Sequence, residues 1–174
     1  MANIVPDKLI DYAIFKDGVE KKGTGDVTLP DFEYMTETIK GAGIMGQVEM
    51  PSLGMLDKLP IKIDWRTITT DLIDLAVPGK TIDLEFRGAQ QAYEAGGGVI
   101  GVQAIRVFAR CLTKKTSLGK FATAATTGSS SELEAVTFKL QIDGKTVVDI
   151  DKFARVCNIG GVDWQSAVRS ALGI

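Results

Sequence analysis

The residues of this chain that could take part in chemistry are few, because its 174 residues include no histidine. Histidine is the commonest general base and metal-binding side chain, so a Ser-His-Asp or Cys-His site is excluded. Cys111 and Cys157 lie far apart and belong to no CxxC pair. We expect two free thiols in a chain made in a reducing compartment. No catalytic residue, cofactor or metal is predicted.

Asp149 and Asp151 are the carboxylates whose spacing is most suggestive, since they flank Ile150 and would share one face of a strand. Two such carboxylates suit an acid-base pair or half of a calcium site. A calcium site also needs an oxygen-rich loop, and none adjoins this segment. We therefore expect a solvated or interface face here.

The run Gly41-Ala42-Gly43-Ile44-Met45-Gly46 matches the GxGxxG pattern of dinucleotide-binding proteins. In those proteins a helix must follow, because its N-terminus binds the phosphates. Here the next residues, 47–51, read as a strand that ends at a proline. The match is interpreted as accidental, and the glycines as residues of a loop with unusual backbone conformation.

A second suggestive run is Arg106-Val107-Phe108-Ala109-Arg110, in which an aromatic side chain alternates with two arginines. Single-stranded nucleic acid is bound by such combinations of stacking and phosphate contact. Two arginines in a chain of net charge -2 do not make a basic groove. The preferred interpretation is an outward-facing strand surface.

The elements that must position these residues are organised around a hairpin over 132–151. Apolar residues occupy the even positions from Val136 to Ile142 and again at Val148 and Ile150, which is the alternation of strands with one buried face. Asp143-Gly144 between them is a hairpin signal. A two-residue loop would put the two apolar sets on opposite faces, so an odd-length loop is predicted.

Further strands alternate in the same way, and the chain suits one domain over 1–174. Thr70-Asp71 predicts a cap for a short helix that ends before Pro78, and Asp163 predicts a cap for an amphipathic helix that ends at Gly173. The C-terminal helix is expected to cover the sheet as a second layer. Strands are predicted over 26–30, 32–40, 61–65, 82–86 and 99–112, an exposed return over 19–25, and loops over 88–98 and 113–131.

The fold class expected from these elements is mainly β with some α: an antiparallel β-barrel or sandwich with a short mid-chain helix and a C-terminal amphipathic helix. The loop 113–131 is small and polar, which predicts flexibility. A loop of that length within a compact domain is expected to order against something else. No apolar run approaches 18 residues, so no membrane anchor is expected.

Two separated segments resemble the major tail tube protein of contractile-tailed bacteriophages, or the equivalent tube protein of a phage-tail-like bacteriocin. The first consists of 26–30 (DVTLP) and 38–46 (TIKGAGIMG), and the second of 138–151 (FKLQIDGKTVVDID) and 158–163 (NIGGVD) with the final helix. They occur in the family's order and at similar spacing over most of the chain. The middle, 88–131, carries no such signature.

The resemblance implies a tail tube-like fold whose subunits form hexameric rings, and rings that stack into the hollow inner tube of a contractile tail. Sheath, baseplate and tape-measure proteins are the implied partners, DNA passes without specific binding, and the protein is made in the bacterial cytoplasm and assembled into a virion tail or tailocin. Three candidate surfaces follow: a subunit interface at Gly41, Ala42, Gly43, Ile44, Met45 and Gly46; an inter-ring loop with Lys115, Thr116, Lys120 and Phe121; and a polar or lumen face with Asp83, Glu85 and Arg87.

Two alternatives stay open at this stage. One is a monomeric β-barrel module that binds single-stranded nucleic acid or protein, which the run 106–110 would favour. The other is a tube protein like that of type VI secretion systems, which shares the architecture.

Overall fold

Of the domain expected over 1–174, the computed structural model describes residues 4–174, and the first three residues lie outside that description. The mainly β prediction is confirmed: strands dominate, and two short helices interrupt them. The elements are β1 (Ile4–Lys16), β2 (Val19–Lys21), β3 (Thr24–Thr28), β4 (Tyr34–Ile39), β5 (Val48–Leu56), β6 (Pro60–Trp65), α1 (Thr70–Asp74), β7 (Ile82–Glu94), β8 (Val99–Ser117), β9 (Ser129–Ile142), β10 (Lys145–Asp151), β11 (Val156–Ile159), β12 (Val162–Asp163) and α2 (Ser166–Leu172).

The main sheet is antiparallel and runs in the order β12-β11-β10-β9-β8-β7-β1-β2. It branches at β9, whose first half pairs with β6 over 129–134 while its second half pairs with β10 over 137–142. β6 in turn pairs with β3. One long strand therefore belongs to two sheet surfaces, and the core lies between them.

The hairpin of β9 and β10 keeps its even-numbered apolar residues on one face, as predicted, but by a different device. The predicted odd-length loop is wrong, because Ile142 pairs with Lys145 across a two-residue turn in which Asp143 and Gly144 have φ of 48° and 78°. Such turns match the twist of the strands. A bulge at Val147 then adds one residue to β10 and restores the parity.

The core is built from strands on both sides of the branch, and it contains one helix. Leu72 and Leu75 of the α1 region are fully buried against strand residues such as Ile61, Leu84 and Val107. The α1 helix is capped by Thr69, whose hydroxyl accepts a hydrogen bond from the Leu72 amide at 3.2 Å. The cap therefore lies one to two residues before the predicted Thr70-Asp71.

The prediction that the C-terminal helix forms the second layer is wrong. No residue of α2 is buried, and of its apolar stripe only Val168 is partly covered, while Ala167, Ala171 and Leu172 are exposed. The covering layer is instead β6 with α1, where Ile61 and Ile63 are fully buried. A stripe of apolar residues at helical spacing identifies a helix but does not say whether its own chain covers it.

Two predicted loops are shorter than expected because the strands beside them are longer. β7 continues through Gly88 to Glu94, so the loop predicted over 88–98 shrinks to 95–98. The loop predicted over 113–131 shrinks to 118–128, since Thr113 pairs with Leu133 and Ser117 with Ser130. Small and polar residues have weak strand preference, and pairing with neighbouring strands overrides it.

β4 and β5 form a separate two-stranded sheet, which we call the arm (34–56). Every residue of β4 is exposed, and in β5 only Gly54 and Leu56 are partly covered. The prediction of a strand over 32–40 is confirmed for 34–39. No helix among the described residues is long and apolar enough to cross a membrane.

Candidate assembly surfaces

The face of the main sheet opposite the core carries the candidate residues Asp83, Glu85 and Arg87, together with charges from three other strands. The pairings place it in rows that run across β7, β8, β9 and β10. Residues directly opposite in a sheet point to the same side. The rows are Asp83-Arg110-Thr137-Asp151, Glu85-Phe108-Lys139-Asp149 and Arg87-Arg106-Gln141-Thr146, and we call this surface the charged face.

Most cations of the charged face are held by its own carboxylates. The Arg110 guanidinium donates two hydrogen bonds to Asp83, at 2.7 and 2.9 Å, and the hydrogen bonds from Arg110 lower the pKa of Asp83. Arg87 donates two more to Glu85, at 2.7 Å each, and these lower the pKa of Glu85. Lys139 pairs with Asp149 at 2.9 Å.

The predicted outward orientation of Arg106, Phe108 and Arg110 is confirmed, since all three lie on this face while Val107 and Ala109 are buried. Asp149 shares the face with Asp151, as predicted. Asp149 is paired with Lys139, and Asp151 accepts hydrogen bonds from the Phe153 and Ala154 amides. Among the residues that the structure describes, no group of three or more metal-binding side chains comes together.

Beyond the core, β1, β7 and β8 continue as a three-stranded extension with two open edges. β2 pairs with β1 only at 14–16, so residues 4–13 of β1 have a neighbour on one side, β7. β9 pairs with β8 only from Ile105 onward, which leaves 99–103 open in the same way. Exposed apolar side chains accompany these edges, namely Ile4, Val5, Leu9, Ile10, Val99, Ile100 and Val102.

The candidate residues 41–46 form the tip of the arm, in the turn between β4 and β5. Gly41, Gly43 and Gly46 have positive φ, and at 89° and 99° the last two are in backbone regions that L side chains avoid. Nothing lies within 4 Å of where a Cβ would stand at any of the three. Met45 is fully exposed. A strand follows, not a helix, so the site lacks the geometry for phosphate.

The base of the arm is fixed to the C-terminal segment by Gln165, a buried polar residue. Its side-chain amide donates a hydrogen bond to the carbonyl of Leu53. The contact lies in a large bulge, because the pairing jumps from Tyr34-Leu56 to Thr36-Pro51. Gly54 sits inside the bulge with φ of 64°, and a Cβ there would stand 2.9 Å from the Gln165 amide nitrogen.

The four residues of the candidate inter-ring loop do not stay together. Lys115 and Thr116 lie in β8, opposite Glu132 and Ser131, whereas Lys120 and Phe121 lie in the 118–128 loop. That loop is held to the body by backbone hydrogen bonds: the Lys120 amide donates to the Thr127 carbonyl at 2.9 Å, and the Thr127 amide donates to the Arg66 carbonyl at 3.0 Å. Phe121 is 90% exposed.

The sequence reasoning missed two of these surfaces. The sequence analysis predicts separate strands where the structure has the arm, although apolar residues on both sides of a glycine-rich turn are a signal for one hairpin. The open edge of β8 depends on where two distant strands end, since β9 pairs with β8 only from Ile105 onward while β7 pairs with it down to Val99.

Comparison with known proteins agrees with the architecture. The family of phage tail tube proteins FII matches residues 6–173. The tail tube protein of Escherichia phage P2 is 27% identical over 181 residues, which cover 98% of this chain and 99% of that protein.

Among solved structures, the sheath/tube terminator of an extracellular contractile injection system, PVC, superposes with a TM-score of 0.52 at 13% identity, over 79% of this chain and 97% of that one. The PVC sheath-tube complex gives 0.49 at 14% identity, over 75% and 87%.

The antiparallel fold defines the class of protein at the level of structure: it is the fold of the sheath/tube terminator of that injection system. The family match extends over nearly the whole chain. This chain belongs to the phage tail tube protein FII family, and its role is that of a tail tube protein.

Proposed function

We propose that this chain assembles into hexameric rings that stack into the inner tube of a contractile tail or tailocin, a conduit for DNA and a rod for envelope penetration. The observation that carries the proposal is the three-stranded extension of β1, β7 and β8 with its two open, apolar edges. An exposed edge of this kind is a template for pairing with another chain.

The two open edges belong to different strands, β1 and β8, and this favours a ring. A contact between the β1 edge of one copy and the β8 edge of the next is head-to-tail, and head-to-tail contacts close into rings when the rotation permits. Closure would pair every such edge in the ring. The number six comes from the family resemblance and is part of the proposal.

The arm supports a second set of contacts between subunits. A two-stranded hairpin is marginally stable alone in water, and this one exposes apolar residues on both of its strands: Tyr34, Met35, Ile39, Val48, Met50 and Met55. We propose that its tip, Gly41 to Gly46, contacts a neighbouring subunit. The loop with Lys120 and Phe121 is proposed to reach the next ring, with Lys115 and Thr116 in the strand at its base.

The proposal also covers the lining of the channel, the partner proteins and the place of synthesis. The charged face, with Asp83, Glu85 and Arg87, is proposed to line the channel, because it is the polar side of the sheet that carries the open edges. Sheath, baseplate and tape-measure proteins are proposed partners, and the sheath is supported by the sheath/tube terminator among the structural relatives. The role needs no catalytic step, and we propose synthesis in the bacterial cytoplasm before assembly into the particle.

Negative-stain electron microscopy of the purified protein at high concentration, with its mass in solution, tests the proposal. Rings or hollow rods are expected. Val102→Lys places a charge beside the open β8 edge and should prevent ring formation, whereas Lys62→Gln on β6 should not. A protein that stays monomeric under crowding, and with tail-tip nuclei added, would overturn the proposal.

Two variants separate the proposed contacts. Gly43→Val should abolish rings if the arm tip is a subunit interface, and normal rings would remove that assignment. Deletion of the 118–128 loop should leave rings but shorten or prevent tubes, and tubes of normal length would remove the inter-ring role.

A further inference from the structure

The charged face combines an aromatic side chain with four cations, the composition of a surface that binds nucleic acid. Phe108 is half-buried at the centre of the middle row, with Arg106 and Arg110 on either side of it along β8. Lys139 lies next to Phe108 on β9, and Arg87 is on β7. Stacking on an aromatic ring and phosphate contacts from basic residues are the two components of single-strand binding.

The same face carries as many carboxylates as cations. The three rows hold Arg87, Arg106, Arg110 and Lys139 against Asp83, Glu85, Asp149 and Asp151, and their charges sum to zero. Three of the four cations have a carboxylate within 3 Å, and Arg87 and Arg110 are held by two hydrogen bonds each. Two parallel hydrogen bonds from a guanidinium to a carboxylate occupy the geometry that a phosphate would use.

The Asp83-Arg110 pair has little value for folding, which makes its alignment on this face informative. The side chains of Asp83 and Arg110 are each more than half exposed, and exposed pairs contribute little to stability. Arg87 is placed by a second contact, over the Phe15 ring at 4.2 Å from its centre. What the three pairs share is that a carboxylate occupies hydrogen-bonding positions of each cation.

We propose that the charged face is a nucleic-acid-binding surface silenced by its own carboxylates, Asp83, Glu85 and Asp149. Each takes up a cation that would otherwise hold a phosphate, so a polyanion that moves across the face is not retained. The residues act on the partner through the cations they occupy. The inference rests on the proposed function in one respect: if this face lines a channel for DNA, weak binding to it would let the DNA pass.

The test uses the free full-length chain and labelled single-stranded and duplex DNA of random sequence. The variant D83N/E85Q/D149N raises the net charge from -2 to +1, because it removes three negative charges. The control D26N/D31N/D57N makes the same change at exposed carboxylates elsewhere. The first variant should bind DNA at least about tenfold more tightly at low salt, with the plot of log K against log salt steeper by about two to three.

Each outcome decides the inference. Binding by the first variant alone supports it, and a further Phe108→Ala change should then weaken single-stranded DNA more than duplex. Equal binding by both variants would reduce the effect to net charge and overturn the inference, as would tight binding by the unchanged protein or none by any variant. Circular dichroism checks folding, and single substitutions replace the triple variant if it unfolds. Because the assay needs no rings, its failure is distinct from failure of assembly.

Discussion

The contact between Gly54 and Gln165 makes a sharp prediction, because one residue forces the other to lack a side chain. A Cβ at position 54 would stand 2.9 Å from the Gln165 amide nitrogen, 3.1 Å from its Cγ and 3.3 Å from the Cβ of Trp164. The backbone at Gly54 is also left-handed, with φ of 64°. Gly54→Ala therefore meets two separate penalties, one of conformation and one of crowding.

The two penalties differ in size, and only the crowding is relieved when the Gln165 side chain is removed. A left-handed backbone costs a non-glycine residue about 1–2 kcal/mol. Crowding in a packed site costs about 1–3 kcal/mol. Gln165→Ala by itself loses one hydrogen bond to Leu53, about 1 kcal/mol net. In the double variant most of the crowding disappears, because the two closest atoms belong to the deleted side chain.

Urea unfolding of the wild type, the two single variants and the double variant measures the free energies of a double-mutant cycle. Gly54→Ala should lower the free energy of unfolding by about 2–5 kcal/mol in the wild type but by about 1–2 kcal/mol beside Gln165→Ala, a coupling of about 1–3 kcal/mol. Gly18→Ala, whose φ of 79° carries no crowding, is the control for the conformational part. If the changes in unfolding free energy of the two single variants simply add in the double variant, the proposed crowding between residue 54 and Gln165 is refuted.

Three other predictions follow from buried or strained groups. Burial raises the pKa of the Cys111 thiol to about 12, and Cys157 is buried too, so neither should react with a thiol reagent at neutral pH until the chain is unfolded, when both are titrated. Gly119→Ala would drive a Cβ into the Thr127 carbonyl oxygen and should increase tryptic cleavage in the 118–128 loop; Gly128→Ala shares the positive φ but has nothing within 4 Å, so it should increase cleavage less. The hydrogen bond from Arg169 lowers the pKa of Asp163, so its carboxylate stabilises the fold above the unfolded pKa near 3.8 and loses this effect as the pH falls through the folded value. Urea unfolding should show that Asp163→Asn destabilises the protein at about pH 7, and that this destabilisation declines progressively as the pH falls below about 3.8.

The parts of this fold that the sequence predicts well are those where period-2 alternation is strong. The pattern at Ile61, Ile63 and Trp65 and at Ile82, Leu84 and Phe86 places each of these side chains in the core as expected. The same alternation put Asp83, Glu85 and Arg87 on a shared outer face. Local periodicity decides orientation because a strand has only two sides.

What could not be predicted depends on partners that are distant in sequence. The continuation of β7 through Gly88, Ala89 and Ala92 follows from pairing with β1 and β8, not from the residues themselves. The bulge at Val147 and an odd-length loop both place the even-numbered apolar residues of β9 and β10 on one face. The alternation of apolar residues therefore could not distinguish between them. The attachment of the arm joins residues 112 positions apart, Leu53 and Gln165.

The bulge at Val147 has an electrostatic consequence, because it sets which side of β10 each later residue occupies. With the extra residue, Asp149 and Asp151 join the outer surface and Ile150 is buried. Without it the strand would be turned over, and the outer surface would keep four cations against two carboxylates. The electrical neutrality of that surface therefore depends on strand register. A single inserted residue, which carries no charge itself, brings two carboxylates to the surface and makes the charges of its eight charged side chains sum to zero.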